Sequence, residues 1–211
     1  MFGTHDLWLY VLSGFLLNIT PGPDTLYIVG RSSTQWRAGA FAALGIGAGT
    51  LVHISAAALG LSAILAASAT AFAAVKIIGA LYLLYVGISL IRSAGMSQSS
   101  SRGAVVRPAS IRGIFVQGFL TNVLNPKVAL FFLAFLPQFV AADAASKPLA
   151  FLFLGVIFDF NGTLWNLFVA WSTARLSGRL APSAAFKRWF DRCVGGIFVF
   201  IGVRLALAHE R

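Results

Sequence analysis

The sequence predicts an all-α integral membrane protein, a single domain of six transmembrane helices in the lipid bilayer. Of its 211 residues, 58% are hydrophobic and only 10% are charged, whereas globular domains carry about 25% charged residues. Apolar runs of about 18 to 25 residues recur along the chain, and each is long enough to cross a bilayer as a helix. The predicted spans cover residues 7–30, 39–65, 72–91, 112–137, 149–172 and 191–208.

Membrane topology explains the excess of basic residues better than nucleic-acid binding does. Sixteen Lys and Arg against six Asp and Glu give a net charge of +10. These cations gather in short stretches between the apolar runs, without the basic helix or aromatic platform of a nucleic-acid-binding domain. We therefore expect no nucleic-acid partner. Cys193 is the only cysteine, which excludes an intrachain disulfide and a cysteine-cluster metal site.

The distribution of Lys and Arg between the loops predicts the orientation of the helices. The intervals after spans one, three and five contain eleven of them: Arg31, Arg37, Arg92, Arg102, Arg107, Arg112, Arg175, Arg179, Lys187, Arg188 and Arg192. The opposite side has four: Lys76, Lys147, Arg204 and Arg211. Because cytoplasmic loops carry the excess of positive charge, we expect both termini to face away from the cytoplasm.

The chain also contains an internal repeat. The segment GFLLNI at 14–19 matches GFLTNV at 118–123, 104 positions further on, and Gly87 of span three aligns with Gly202 of span six. The repeat units are residues 7–91 and 112–208, joined by a flexible loop at 92–111. Because each unit has three spans, the second enters the membrane in the opposite sense, as in the inverted repeats of alternating-access transporters.

The most informative motifs follow the repeated Gly-Phe-Leu-x-Asn. Span one reads Asn18-Ile19-Thr20-Pro21-Gly22-Pro23-Asp24, and span four reads Asn122-Val123-Leu124-Asn125-Pro126-Lys127. Proline removes a backbone donor and interrupts a helix, so both spans should be broken near mid-membrane. Thr20-Pro21 and Asn125-Pro126 each place a capping side chain before a proline, which is typical of a new helix start.

Two helix starts meeting inside the membrane predict a binding site. Their free N–H groups and partial positive charge suit a substrate carboxylate. The alternative is a pair of proline kinks that serve packing alone. Two breaks at matching positions of inverted repeats, each flanked by polar groups, favour the binding site.

This pair of motifs resembles the LysE/RhtB family of amino-acid exporters. The similarity continues through PKVALFFLAFLPQFV at 126–140 and GALYLLYVGISLIR at 79–92, so it covers nearly the whole chain. The resemblance implies a multi-pass protein of the bacterial inner membrane that exports amino acids or close derivatives, driven by the proton gradient. Family members differ in substrate, and homoserine, threonine, lysine-like and neutral amino acids are all candidates.

Three charged residues inside the spans are the main candidates for substrate binding or proton coupling. Asp24 suits a substrate ammonium group or a proton, although a carboxylate in a first helical turn also stabilises the helix. Lys127 opposes the helix dipole, so it needs compensation by Asp24, by Asp159 or by a substrate carboxylate. Asp159 shares one helix face with Gly162 and Asn166, and that face should point inward.

Other polar residues in the spans have predicted structural roles. His53 extends a stripe of Gly45 and Gly49 at four-residue intervals, which indicates close helix packing. Asn18 and Asn122 lie just before the two breaks, where they are expected to bind freed carbonyl groups and to contact substrate. The predicted binding or coupling residues are Asn18, Thr20, Pro21, Gly22, Pro23, Asp24, Asn122, Asn125, Pro126, Lys127 and Asp159.

Three other classes of protein fit the sequence less well. An enzyme would need a nucleophile with a positioned base, which the isolated His53 does not provide, so we expect no catalytic residue and no cofactor. A carrier of metal cations is disfavoured by one cysteine and by terminal His5 and His209, although another small solute stays open. A structural membrane subunit stays an alternative, because a helix bundle needs no chemistry, but the charges inside the membrane count against it. A homo-oligomer is compatible with the sequence.

Overall fold

The computed structural model describes residues 2–33, 35–61, 110–141 and 143–176, together with scattered helical residues between 77 and 92 and between 188 and 203. Most of predicted spans three and six, including Gly87 and Gly202, and nearly all of the predicted loop at 92–111 therefore lie outside the described residues. The regular elements in the described part are helical.

The described helices follow the predicted spans one, two, four and five. Helix α1 covers Leu7–Ile19, α2 Pro23–Ser32, α3 Trp36–Ala56, α4 Ile111–Val123, α5 Pro126–Leu130 and α6 Lys147–Leu176. A π-helical turn at Ala57–Leu61 extends α3, and a π-helical turn at Phe131–Phe135 followed by a 3₁₀ turn at Leu136–Phe139 extends α5. The predicted breaks of spans one and four are confirmed, because α1 ends before α2 and α4 ends before α5.

Hydropathy supports membrane insertion of these helices. In the described part, Trp36–Gly60 and Lys147–Leu176 are each long and apolar enough to cross a membrane. Ile111–Val123 and Pro126–Phe139, which meet at a bend of 45°, add a third span if they count as one. Leu7–Ile19 is apolar but too short to cross a bilayer alone, as expected for half of a broken span.

The contacts between α1 and α6 show that these helices run in the same direction. Three of them join residues 144 positions apart: Tyr10 with Leu154, Gly14 with Phe158 and Asn18 with Gly162. Because the separation in sequence is constant, the two helices run parallel to each other. The hydroxyl of Tyr10 donates to the Leu154 carbonyl at 2.9 Å, inside a cluster rich in phenylalanine.

The contacts of α3 with α4 and α6 show how the two repeats are oriented relative to each other. In the contacts of α3 with α4, residue numbers rise together along both helices: Gly45 with Phe115, Gly49 with Phe119 and His53 with Asn122. In its contacts with α6, residue numbers rise along α3 as they fall along α6: Gly39 with Ala170, Gly47 with Thr163 and Ile54 with Gly155. Helix α3 is therefore parallel to α4 and antiparallel to α6, and it follows that α1 and α4 run in opposite directions.

The glycine stripe of α3 confirms the prediction of close packing. A Cβ atom at Gly49 would lie 2.8 Å from both the Asn122 Cβ and the Phe119 carbonyl oxygen. On the facing helix, a Cβ at Gly118 would lie 2.7 Å from the Ala42 carbonyl oxygen. The backbones of α3 and α4 can approach this closely only because these positions lack side chains.

Candidate functional site

A polar cavity lies where the two broken spans meet α3 and α6. Of the predicted site residues, its lining includes Asn18, Gly22, Asp24, Asn122, Asn125, Lys127 and Asp159. Thr20, Pro21, Pro23 and Pro126 belong to the breaks themselves but not to the lining. The apolar part of the lining is formed by Leu17, Ile46, Val128 and Phe158. The structure thus brings the three intramembrane charges of the sequence analysis to one cavity.

The first break differs from the predicted helix start. Gly22, in extended conformation, occupies the N-cap position, and Pro23 is the first helical residue. The prediction that Thr20 caps a helix beginning at Pro21 is therefore wrong. The Thr20 hydroxyl instead donates backwards to the Leu16 carbonyl at 2.7 Å, so this side chain belongs to the end of α1. Either proline suits a first helical position, and sequence alone does not choose between them.

The second break has the predicted start. The side chain of Asn125 accepts a hydrogen bond from the Lys127 N–H at 3.0 Å, with Pro126 as the first helical residue. Proline has no N–H, so the cap satisfies the first donor that the new helix offers. This donor is consequently engaged by the protein itself.

Lys127 is compensated in a way that the sequence analysis did not consider. Its ammonium group donates to the carbonyl oxygens of Leu17 at 2.8 Å and Thr20 at 2.7 Å, both at the end of α1. Asp24 also lies close enough to interact electrostatically with Lys127. In a continuous helix the N–H of residue 21 would bind the Leu17 carbonyl, but Pro21 has none. Lys127 supplies this donor from the other repeat.

Asp24 is held by the second repeat in turn. Its Oδ2 accepts a hydrogen bond from the Asn122 Nδ2 at 2.8 Å. Its Oδ1 is buried and has no hydrogen-bond partner among the described residues. The Asn125 amide, the Lys127 charge and the His53 ring lie close enough to influence the carboxylate. Asp24 therefore keeps one acceptor oxygen available within the cavity.

The two asparagines do not bind the freed carbonyl groups, so that prediction is wrong. The Asn122 amide donates to Asp24, and the Asn18 Nδ2 is buried without a partner in the part of the chain that the structure describes. The carbonyls are reached by other donors, namely Lys127 at the first break and the His53 Nε2, 3.1 Å from the Asn122 oxygen, at the second. This contact is consistent with a structural role for His53.

Asp159 faces the cavity from α6, together with Gly162 and Asn166. The inward direction predicted for this face is confirmed. The carboxylate Oδ1 accepts one long hydrogen bond, 3.4 Å, from the Thr163 hydroxyl. Asp159 is thus held less firmly by the described residues than Asp24 is.

Three threonines that line the cavity, Thr25, Thr50 and Thr163, were missed by the sequence analysis. Thr50 lines it from α3 and donates to the Asn122 Oδ1 at 3.3 Å, and Thr163 lines it from α6. A signal was available for Thr50 and Thr163, because GTLVHI at 49–54 and GTLWNL at 162–167 repeat the pattern Gly-Thr-Leu 113 positions apart. The internal repeat therefore extends into spans two and five.

Comparison with known proteins agrees with this architecture. The chain matches the family described as LysE type translocator over residues 15–209. It is 31% identical over 209 residues to an uncharacterized membrane protein of Pseudomonas aeruginosa, covering 98% of this chain and 97% of that protein.

Two further relatives carry functional names. A leucine efflux protein of an Enterobacter species is 28% identical, over 99% of this chain and 98% of its own. A leucine efflux protein of Salmonella typhimurium is 24% identical, over 97% and 96% respectively. No solved structure matches the chain.

Proposed function

Because the chain belongs to the LysE type translocator family, whose members are transporters rather than enzymes, we propose that it exports amino acids from the cell by secondary active transport. Neutral amino acids such as leucine are the first candidates, since two relatives are named leucine efflux proteins. The other candidates are homoserine, threonine, lysine-like amino acids and close derivatives.

The observation that carries this proposal is the cavity at the two helix breaks. It contains a carboxylate, Asp24, with one buried oxygen that has no hydrogen-bond partner among the described residues, a second carboxylate, Asp159, and an ammonium group, Lys127. Charged groups inside a membrane protein are costly and generally mark a substrate or ion pathway. An amino acid carries both charges at once, so it is a natural ligand for a cavity that presents both.

Alternating access between two inverted repeats is the proposed mechanism. Its support is that α1 and α4 have equal length, lie 104 positions apart in the sequence and run in opposite directions. The cavity is small, since the space open to the centres of water molecules is about 30 Å³. An amino acid would therefore enter only after the helices around the cavity move apart.

We further propose that Asp24 binds the substrate ammonium group and that Asp159 carries the coupling proton. Asp24 is fixed by Asn122, as expected for a residue that positions a ligand, whereas Asp159 has a single long hydrogen bond. A carboxylate with few donors is easier to protonate, because protonation costs it little hydrogen bonding.

Transport by the purified protein in lipid vesicles tests the proposed function. Vesicles are loaded with leucine, threonine, homoserine or lysine, and release of each is measured with and without an imposed pH gradient. We expect leucine to leave faster from these vesicles than from protein-free vesicles, and the gradient to increase the rate. Release of every amino acid at the protein-free rate under both conditions would contradict the proposal, and it would favour a carrier of another solute or a structural subunit.

A further inference from the structure

The internal repeat gives the two cavity asparagines matching surroundings. Asn18 and Asn122 are 104 positions apart, and each packs on the glycine of a Gly-Thr-Leu motif. A Cβ at Gly162 would lie 3.1 Å from the Asn18 amide atoms, and one at Gly49 would lie 2.8 Å from the Asn122 Cβ. The two asparagines can therefore be compared as equivalent positions in opposite halves of one site.

The hydrogen bonding at these equivalent positions is unequal. Asn122 is 2% exposed and uses its whole side chain, because Nδ2 donates to Asp24 and Oδ1 accepts from Thr50. At the other position, the Asn18 Nδ2 is buried and has no partner among the described residues. A buried donor without an acceptor is energetically unfavourable, so its presence needs an explanation.

A charge difference between the repeats explains the inequality. Asp24 and Lys127 each directly follow the first helical proline after a break, so they occupy equivalent positions. Asp24 reaches across and accepts from Asn122. Lys127 also reaches across, to the end of α1 where Asn18 lies, but an ammonium group cannot accept a hydrogen bond. The acceptor that Asp24 provides in one half is consequently missing in the other.

We propose that the substrate carboxylate takes this missing place and accepts from the Asn18 Nδ2 beside the positive charge of Lys127, while the substrate ammonium group binds the Asp24 Oδ1. This inference rests on the proposed amino-acid export and names its substrate class: free α-amino acids that keep both charged groups. The aliphatic side chain of such a substrate would face Leu17, Ile46, Val128 and Phe158, which line the same cavity.

Competition on the unmodified protein is the first test, since it requires no variant to fold. Exchange of labelled leucine is measured against leucinamide, which lacks the carboxylate, and against 4-methylpentanoate, which lacks the amine. We expect each analogue to compete about tenfold or more weakly than leucine, because each loses a charge-assisted hydrogen bond. Equal competition by leucine and leucinamide would overturn the assignment of the carboxylate site.

Substitution of Asn18 tests whether this residue binds the substrate carboxylate. In Asn18→Leu, which removes the donor at similar size, leucine affinity should fall about tenfold or more. Leucinamide should lose less affinity than leucine, because its carbonyl oxygen forms only a neutral hydrogen bond with Asn18. Asn18→Asp adds a carboxylate that repels the substrate carboxylate, so leucine binding should be lost. Leucinamide should bind this variant more tightly than it binds the wild type. Wild-type leucine affinity in both variants would refute the proposal.

Thermal stability separates this role from a structural one, with Asn122→Leu as the matched control. Asn18→Leu removes a buried donor that has no partner, so the melting temperature should not fall. Asn122→Leu removes the donor to the partly buried Asp24 carboxylate, and its melting temperature should be lower than that of Asn18→Leu. An equal loss of stability in both variants would indicate a purely structural asparagine. If the wild type transports leucine but these variants behave otherwise, only the carboxylate assignment fails; if it transports no amino acid, the proposed function fails as well.

Discussion

At the scale of single residues, the site is built from side chains that cross from one repeat to the other. Lys127 donates to the end of α1, and Asp24 accepts from the end of α4. Each of these hydrogen bonds joins a residue just after one break to a group just before the other break, which is a backbone carbonyl for Lys127 and the Asn122 side-chain amide for Asp24. The two breaks are therefore stabilised together, and a change at one should be felt at the other.

The Lys127 contacts predict a double-mutant outcome. Lys127→Met leaves the Leu17 and Thr20 carbonyls without these donors, which should destabilise the protein by about 1 to 3 kcal/mol. Pro21→Ala restores an N–H that can bind the Leu17 carbonyl, so it should reduce the cost of Lys127→Met. Denaturant unfolding of both single variants and the double variant measures the coupling. Strictly additive effects would show that Lys127 does not replace the donor missing at Pro21.

The two carboxylates predict different transport defects. Asp24→Asn should lower both leucine exchange and gradient-driven efflux, because a neutral amide holds an ammonium group poorly. Asp159→Asn should lower gradient-driven efflux and leave exchange, because exchange needs binding and reorientation but no net protonation. Both activities are measured in the same vesicles, so each variant controls for the other. Exchange at the wild-type rate in Asp24→Asn would contradict its role in binding.

At the scale of helices, close packing of α3 on α4 sets the geometry of the cavity. Gly49 lies where the two backbones approach, opposite Phe119 and Asn122. Thr50 and His53 on the same helix then reach the Asn122 side chain and carbonyl. The position of Asn122, and through it that of Asp24, therefore depends on a glycine that itself carries no polar group.

Adding a methyl group at Gly49 tests this dependence. Gly49→Ala places a Cβ 2.8 Å from the Phe119 carbonyl oxygen, so α3 and α4 must separate, and overpacking of this kind costs about 1 to 3 kcal/mol. Leucine exchange should fall with stability. Gly30→Ala in α2 is the control, since a Cβ there meets nothing within 4 Å and should slightly stabilise the helix. Equal melting temperatures for the two variants would contradict the packing argument.

At the scale of the whole molecule, the basic residues near the ends of α2, α3, α4 and α6 are divided unevenly between the two ends of the bundle. Helix directions place Arg31, Arg37, Arg112 and Arg175 at one end of the bundle, and Lys147 at the other. The second end also contains the N-terminal residues, because the Ala141 N–H donates to the Gly3 carbonyl at 2.8 Å. This division agrees with the loop count.

Topology reporters assign the ends to the two sides of the membrane. Fusions at the C-terminus should be active on the outer side, and fusions near Ser99 should be active in the cytoplasm, since the arginine-rich end should face inward. The reverse pattern at both sites would contradict the orientation. A disagreement at the C-terminus alone would place the error in predicted span six.

What the sequence determined by itself was the membrane class, the courses of spans one, two, four and five and the presence of two breaks. These features depend on local composition and on the missing N–H of proline, which act in any surroundings. Local chemistry also predicted the cap at Asn125 and the inward face of Asp159. It did not separate Pro21 from Pro23, because both residues satisfy the same local rule.

Only the tertiary structure decided the partners of the polar side chains. Lys127 bonds to carbonyls 110 and 107 positions away, and Asn122 donates to a carboxylate 98 positions away. Such contacts depend on how α1, α3, α4 and α6 pack and in which direction each runs, and hydropathy does not encode this. The missing acceptor at Asn18 is evident only when the two repeats are compared in space. Asn122 donates to Asp24, whereas the equivalent Asn18 amide has no acceptor among the described residues.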